Sequence, residues 1–122
     1  MIKKILCTLL MLISIPVFAG EFEEASISNA RIFLYMYTPE CGYCKQFEQT
    51  YEKLKQKYGR DCKFLKINAA TKYGTDLMLQ FRASYVPHII LLNNQKRTMQ
   101  RVTPNCSLNF ACIKDAVDKF VN

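Results

Sequence analysis

The segment Arg31–Tyr37 constrains the fold most, because every residue after Arg31 is apolar or aromatic and suited to a β-strand. A run of this kind predicts a strand buried on both faces of a sheet, which is typical of parallel α/β architectures. An amphipathic segment follows it closely, with apolar residues at helical spacing at Phe47, Tyr51, Leu54 and Tyr58. The chain is therefore expected to place a long helix directly after a buried strand.

The rest of the chain repeats this alternation. Further strands are predicted at Cys62–Ile67, His88–Leu92 and Arg97–Thr103. The last of these strands is expected to form a hairpin with the strand before it. We predict helix caps at Thr75 and Ser107 and a left-handed helix stop at Gly59. Residues 21–29 are expected to form one or two helical turns. The order βαβαββα indicates parallel strands joined by crossovers, followed by an antiparallel pair.

The length and charge of the chain narrow the function classes. With 122 residues, the chain has room for one domain. The net charge is +7, but the lysines and arginines are scattered and form no block of like charge. Scattered positive charge is typical of a solvated surface, so we expect no nucleic-acid partner.

Residues 1–19 have the pattern of a signal peptide. Two lysines precede an apolar run, Ile5–Val17, which is short for a membrane span, and small residues at Val17 and Ala19 suit a cleavage site. We therefore expect cleavage after Ala19, export to the periplasm and a mature domain of residues 20–122. An uncleaved anchor in the inner membrane, with the domain facing the periplasm, is the alternative.

The Cys41-Gly42-Tyr43-Cys44 motif lies between the first predicted strand and its helix. Free N–H groups and the helix dipole at that position favour an anion, and the thiolate is the reactive form of cysteine. Cys44 lies one turn further on the same helix face, where it can attack a mixed disulfide on Cys41. We predict that Cys41 is the exposed nucleophile and Cys44 the resolving thiol. A permanent disulfide, half of a zinc site and two packed thiols are the alternatives.

These residues resemble the thioredoxin superfamily over about residues 32–121. The segment Tyr37–Lys45 looks like the active-site junction of that family, and Phe64–Asn68 looks like its next strand. The resemblance implies a compact thioredoxin-like α/β fold with a central mixed four-stranded sheet flanked by helices. It also implies thiol–disulfide oxidoreductase activity without a bound cofactor or metal, because the electrons reside in the two cysteines.

The dipeptide Val86-Pro87 looks like the cis-proline loop of the same family. The resemblance implies that the Val86–Pro87 peptide bond is cis. In that loop, Pro87 would shield the thiols from metal, and the backbone of Val86 would pair with an extended substrate. A trans proline that merely opens a strand is the alternative.

The chain departs from the family near the motif. Tyr35 stands where thioredoxins usually have a buried Asp, so the carboxylate that helps to move the proton of the resolving cysteine is expected to be missing. Glu40 directly precedes the motif and is a candidate for tuning the nucleophile. Gly42 and Tyr43 within the motif are further tuning candidates, and this dipeptide resembles that of bacterial disulfide isomerases.

Three other cysteines and one histidine remain in the mature chain. A disulfide between Cys106 and Cys112 would pin the entry of the last helix, and the exported setting favours that pairing. Cys62 would then be a lone buried thiol. His88 follows the proline and is a candidate for stabilising the thiolate when protonated, with packing in the strand as the alternative. A zinc site built from both cysteine pairs matches no finger spacing.

We therefore expect an exported oxidoreductase that exchanges disulfides with envelope proteins and with a membrane redox partner, acting as a monomer. Two other functions are considered. The first is a redox-inert interaction module of an envelope complex. The second is a periplasmic metal carrier that uses cysteines and exposed methionines such as Met78 and Met99.

Overall fold

The structure, a computed structural model, describes residues 20–28 and 30–122, so the expected signal peptide lies outside the described residues. The strands of the sheet are β1 (Arg31–Tyr37), β2 (Lys63–Asn68), β3 (His88–Asn93) and β4 (Thr98–Val102). They lie in the order β2-β1-β3-β4. β1 pairs parallel with β2 and antiparallel with β3, and β3 pairs antiparallel with β4. This topology confirms the predicted mixed four-stranded sheet.

Helices cover both faces of this sheet. In the described part of the chain they are α1 (Glu21–Ile27), α2 (Gly42–Tyr58), α3 (Lys72–Gln80), α4 (Pro104–Ser107) and α5 (Phe110–Val121). Side chains of α2 and α5 form one apolar core with one face of the sheet, and side chains of α1 and α3 form a second core with the other face. No helix among the described residues is long and apolar enough to cross a membrane.

Strand β1 lies between the two cores. Its residues 32–36 are all buried, which confirms the prediction of a strand covered on both faces. Aromatic contacts hold α2 against it: the ring of Phe47 meets that of Tyr35 edge-on at 4.9 Å between centroids, and the Tyr51 ring lies tilted against that of Tyr35 at 5.1 Å. Such pairs contribute about 0.5–1.5 kcal/mol each beyond the buried area. These contacts hold α2 against one face of β1.

The N-terminal cap of α3 is Thr71, and the predicted cap at Thr75 is wrong. Thr71 Oγ1 accepts from the Gly74 amide at 3.0 Å and donates to the Asn68 carbonyl at 2.8 Å, so it closes the turn that leaves β2. Thr75 already lies within the helix, and its Oγ1 donates to the Ala69 carbonyl at 2.9 Å. Both threonines have side chains that can cap a helix, and the tight turn after β2 determines that Thr71 is the one that caps α3.

The last helix begins later than predicted, and the short helix α4 precedes it. Asn109 caps α5, while Ser107, the predicted cap, is the buried last residue of α4. Pro104 occupies the first position of α4, where its missing N–H is not needed. Gly59 does follow α2, but its φ of −62° is right-handed, so the predicted left-handed stop is also wrong.

Candidate active site

The Cys41-Gly42-Tyr43-Cys44 motif sits where β1 ends and α2 begins. Cys41 is the N-cap residue of α2, and Cys44 lies in its first turn. The two sulfurs form a disulfide, with the Cα atoms 5.1 Å apart. Cys44 is only 2% exposed, whereas Cys41 is half-buried. Of these two sulfurs, that of Cys41 is the one that an approaching substrate can reach.

Backbone dipoles point at the Cys41 sulfur. The amide N–H of Cys44 donates to Cys41 Sγ at an N–S distance of 3.0 Å. The positive end of the 17-residue helix α2 lies at the same place. In the reduced protein, both features favour the thiolate form of Cys41 over the thiol. The arrangement has the asymmetry that a nucleophile and a resolving thiol require.

In the reduced protein, iodoacetamide should modify Cys41 at least about tenfold faster than Cys44 at pH 7, because only Cys41 combines exposure with a stabilised thiolate. Timed quenching followed by mass spectrometry of the peptides measures both rates. Cys62 is an internal reference, because it is buried and burial raises the pKa of its thiol to about 12. Equal rates at Cys41 and Cys44 would contradict the assignment of their roles.

The loop before β3 lies beside this junction. The Val86–Pro87 peptide bond is cis. Pro87 is buried and Val86 is half-buried, and both line a cavity together with Tyr43 of the motif. Val86 precedes the first paired residue of β3, so its backbone stands outside the sheet ladder. Its pairing with an extended substrate stays a prediction.

Three of the predicted tuning residues lie within the motif or directly before it. Glu40 is exposed in the turn directly before Cys41. Gly42 is the first residue of α2, with open space around it, and Tyr43 is 61% exposed. These three residues are close to the nucleophile along the chain, and their effects on its reactivity stay predictions.

The side chain of His88 contacts Arg101 rather than a residue of the motif, and its predicted stabilisation of the thiolate stays a prediction. Its Nε2 lies 3.0 Å from Nη1 of Arg101, and Nη2 of Arg101 donates to the Phe81 carbonyl at the end of α3. His88 therefore faces α3, across the sheet from α2. Burial and the Arg101 guanidinium lower the pKa of His88, which works against the positive charge that the predicted role requires.

A polar network below Cys44 was not foreseen from the sequence. The Tyr35 hydroxyl lies 3.2 Å from the backbone oxygen of Cys44 and 2.9 Å from Oε2 of Glu48. Oε1 of Glu48 accepts from Nζ of Lys66 at 2.6 Å. A carboxylate therefore does approach the resolving cysteine's turn, although Tyr35 replaces the acid that the family resemblance led us to expect in β1. Through the Tyr35 hydroxyl, the Glu48 carboxylate is connected to the first turn of α2.

One sequence signal could have found Glu48. It follows Cys44 by four residues, so the two side chains share one helix face. Tyr35 itself is fully buried, and burial together with the Glu48 carboxylate raises the pKa of its phenol far above the usual value. Tyr35 therefore remains a neutral hydrogen-bond donor, which ties β1 to the first turn of α2.

The remaining cysteines lie away from this network. Cys106 and Cys112 form a second disulfide that joins α4 to α5, with the Cα atoms 5.2 Å apart. Cys62 is a free, buried thiol in the first core. Cys41 is thus bonded to Cys44, and Cys106 is bonded to Cys112. Within residues 20–28 and 30–122, no group of three or more His, Cys, Asp or Glu side chains is placed to hold a metal ion.

The chain is similar to known proteins in both sequence and fold. A family model described as thioredoxin matches residues 14–112. The fold is similar to the reduced thioredoxin pre-protein of Schistosoma mansoni, with a TM-score of 0.66 and 21% identity over 83% of this chain and 90% of that one. It is also similar to mitochondrial thioredoxin 3 of Saccharomyces cerevisiae, with a TM-score of 0.66 and 19% identity over 81% and 87% of the two chains.

A third similar structure is the J-Trx1 fragment of ERdj5, with a TM-score of 0.69 and 16% identity. The alignment covers 83% of this chain but 46% of that fragment, so this chain spans less than half of its length. No curated protein sequence matches the chain.

Proposed function

The chain belongs to the thioredoxin family, and from this premise we propose that it exchanges disulfides with other proteins in the periplasm. The thioredoxin domain and the Cys41–Cys44 pair together support thiol–disulfide oxidoreductase activity. The periplasmic setting, a membrane redox partner and a monomeric state are parts of the proposal.

One observation carries the assignment of roles within the pair. Cys41 is half-buried at the N-terminus of α2, while Cys44 is 2% exposed one turn further on. A substrate sulfur can therefore reach Cys41 but not Cys44. The Cys44 amide N–H stabilises negative charge on the Cys41 sulfur, which raises the fraction of Cys41 present as thiolate and makes Cys41 the better leaving group.

The reducing direction of the exchange proceeds in two displacements. The Cys41 thiolate attacks a substrate disulfide, a bond forms between the Cys41 sulfur and one substrate sulfur, and the other substrate sulfur leaves as a thiolate. The Cys44 thiolate then attacks Cys41, which closes the Cys41–Cys44 disulfide and releases the first substrate sulfur as a thiolate. Two electrons pass to the substrate, and each released thiolate takes up a proton from water. The oxidising direction is the reverse sequence.

Two features of the chain support a periplasmic setting. Residues 1–19 combine lysines, an apolar run and small residues in the order of a signal peptide. The Cys106–Cys112 disulfide is of the kind that persists in oxidising compartments. A membrane redox partner would return the Cys41–Cys44 pair to its working redox state after each turnover.

Export and activity are tested together in a Gram-negative host that expresses the full chain. We expect osmotic shock to release a protein whose mass corresponds to residues 20–122, and this protein should catalyse the reduction of insulin by dithiothreitol. The Leu9→Arg variant is the export control, because a charge in the apolar run should keep the chain in the cytoplasm. Release of the Leu9→Arg variant in equal amount would contradict export through this segment.

A further inference from the structure

The loop of residues 82–87 connects α3 to β3 and passes beside the redox motif. None of its residues belongs to a helix or a strand, and the pairing of β3 with β1 starts only at His88. Val86 and Pro87, at the end of this loop, line a cavity together with Tyr43 of the motif. Contacts that fix the position of the loop therefore fix where Val86 and Pro87 stand relative to the motif.

The first end of the loop leaves α3 through a left-handed turn. Arg82 has a φ of 54°, and its N–H donates to the Leu79 carbonyl at 3.1 Å. The Ala83 N–H donates to the Met78 carbonyl at 2.8 Å. These two bonds are typical of a Schellman motif, which satisfies two carbonyls of the last helical turn. The Phe81 carbonyl, which follows them at the end of α3, takes no part in this pair of bonds.

The guanidinium of Arg101, on the edge strand β4, contacts both residues that flank the loop. Its Nη2 donates to the Phe81 carbonyl at 2.5 Å, and its Nη1 lies 3.0 Å from Nε2 of His88. A guanidinium has only donors, so Nε2 is the acceptor and the ring carries its proton on Nδ1. Burial and the guanidinium lower the pKa of His88, which favours this accepting form. One planar group thus bridges the start and the end of the loop.

The surroundings of His88 extend this contact into the loop. Arg101 pairs with Ile90 in the sheet, which places its side chain on the same face as His88. His88 is only 3% exposed, so its ring is held in place. The Tyr85 ring lies tilted against the His88 ring, at 4.7 Å between centroids. The contacts therefore run from β4 through His88 to the residue directly before Val86.

We propose that Arg101 is a positioning residue for disulfide exchange, because it holds the loop of residues 82–87 where Val86 can meet an extended protein substrate. The inference rests on the proposed function, since its effect is on how protein substrates bind beside the Cys41–Cys44 pair. The guanidinium bonds to Phe81 and His88 rather than to the reacting sulfurs. A small disulfide that needs no contact with the loop should therefore react independently of Arg101.

The role is tested by the rates at which the reduced protein reacts with two disulfides. The first is an extended peptide without charged side chains, which carries one cysteine as a mixed disulfide with glutathione. The second is hydroxyethyl disulfide. Arg101→Met should react about tenfold more slowly than the parent with the peptide, because the loop is less often in the position that binds it. Its rate with hydroxyethyl disulfide should stay within about twofold of the parental rate.

The Arg101→Lys variant tests whether both contacts are needed. A lysine keeps the positive charge but lacks the planar fork that reaches two acceptors at once, so only part of the lost rate with the peptide should return. This variant also decides the question if Met at this position prevents folding, as judged by circular dichroism.

Lys63→Met is the matched control for the loss of charge. Lys63 also supplies one exposed positive charge to an edge strand, at the opposite edge of the sheet from Arg101. This variant should react with both disulfides as the parent does.

Two further measurements separate positioning from a general effect on stability. Hydrogen exchange of the amides of residues 82–86 should be faster in Arg101→Met, whereas the amides of α2 should exchange as in the parent. Combining Arg101→Met with His88→Leu should slow the reaction with the peptide no further than Arg101→Met does alone, because the two side chains act through one contact.

The results distinguish the positioning role from the proposed function. A loss of equal size with both disulfides would overturn the positioning role, and so would a parental rate of Arg101→Met with the peptide. A parental rate of Arg101→Lys with the peptide would overturn the bridge between the two flanking residues, and a further loss in the double variant would overturn the coupling to His88. Failure of the parent to react with either disulfide would instead overturn the proposed function.

Discussion

Replacing Cys41 with Ser should lower the rate of insulin reduction by at least about a hundredfold, because a serine hydroxyl is a far weaker nucleophile than a thiolate. Replacing Cys44 with Ser should lower turnover to a similar extent for a different reason. The first attack by Cys41 remains possible in that variant, but the buried thiol that releases the substrate is gone. Mixed disulfides between Cys41 and envelope proteins should therefore accumulate in the Cys44→Ser variant alone.

The rates are measured by insulin turbidity, and the mixed disulfides are measured on non-reducing gels after acid trapping. Cys62→Ser is the matched control, because this cysteine is buried in the core and burial raises the pKa of its thiol to about 12. It should retain parental activity. If Cys41→Ser captured partners as well as Cys44→Ser does, the roles of nucleophile and resolving thiol would be wrong.

Replacing Gly74 with Ala should lower the free energy of unfolding by about 2–3 kcal/mol, because the new methyl group meets backbone rather than a movable side chain. A Cβ at this position would lie 2.6 Å from the carbonyl carbon of Asn68 and 2.8 Å from Cα of Ala69. These atoms belong to the turn that Thr71 closes after β2. Either α3 or this turn must move to admit the methyl group. Urea unfolding monitored by circular dichroism measures the loss.

Gly42→Ala is the control for this experiment. Gly42 is also a helical glycine, but a Cβ there would have no neighbour within 4 Å. Because Ala is favoured over Gly in a helix by about 0.8–1 kcal/mol, this variant should be as stable as the parent or slightly more stable. If Gly74→Ala were as stable as Gly42→Ala, the close approach of α3 to the turn would not be a constraint on the fold.

The sequence by itself determined the elements of the fold and the position of the redox pair. The predicted strands lie within one residue of β1, β2, β3 and β4 at each end, because uninterrupted β-prone runs and their flanking turns are local signals. The placement of Cys41 at a strand-to-helix junction was also readable, since the apolar run of β1 and the periodic face of α2 meet there. Neighbours along the chain encode each of these features.

Only the tertiary structure decided which side chains meet. Thr71 rather than Thr75 caps α3, because the turn from β2 sets where the helix begins. His88 faces α3 and Arg101 rather than the redox pair, since alternation along a strand assigns a face only after the neighbouring elements are in place. The cavity beside the pair joins Tyr43 to Leu108, which are 65 positions apart in the chain. Such contacts depend on strand order and on helix packing. The pattern of residues that are close in the sequence determines neither of them.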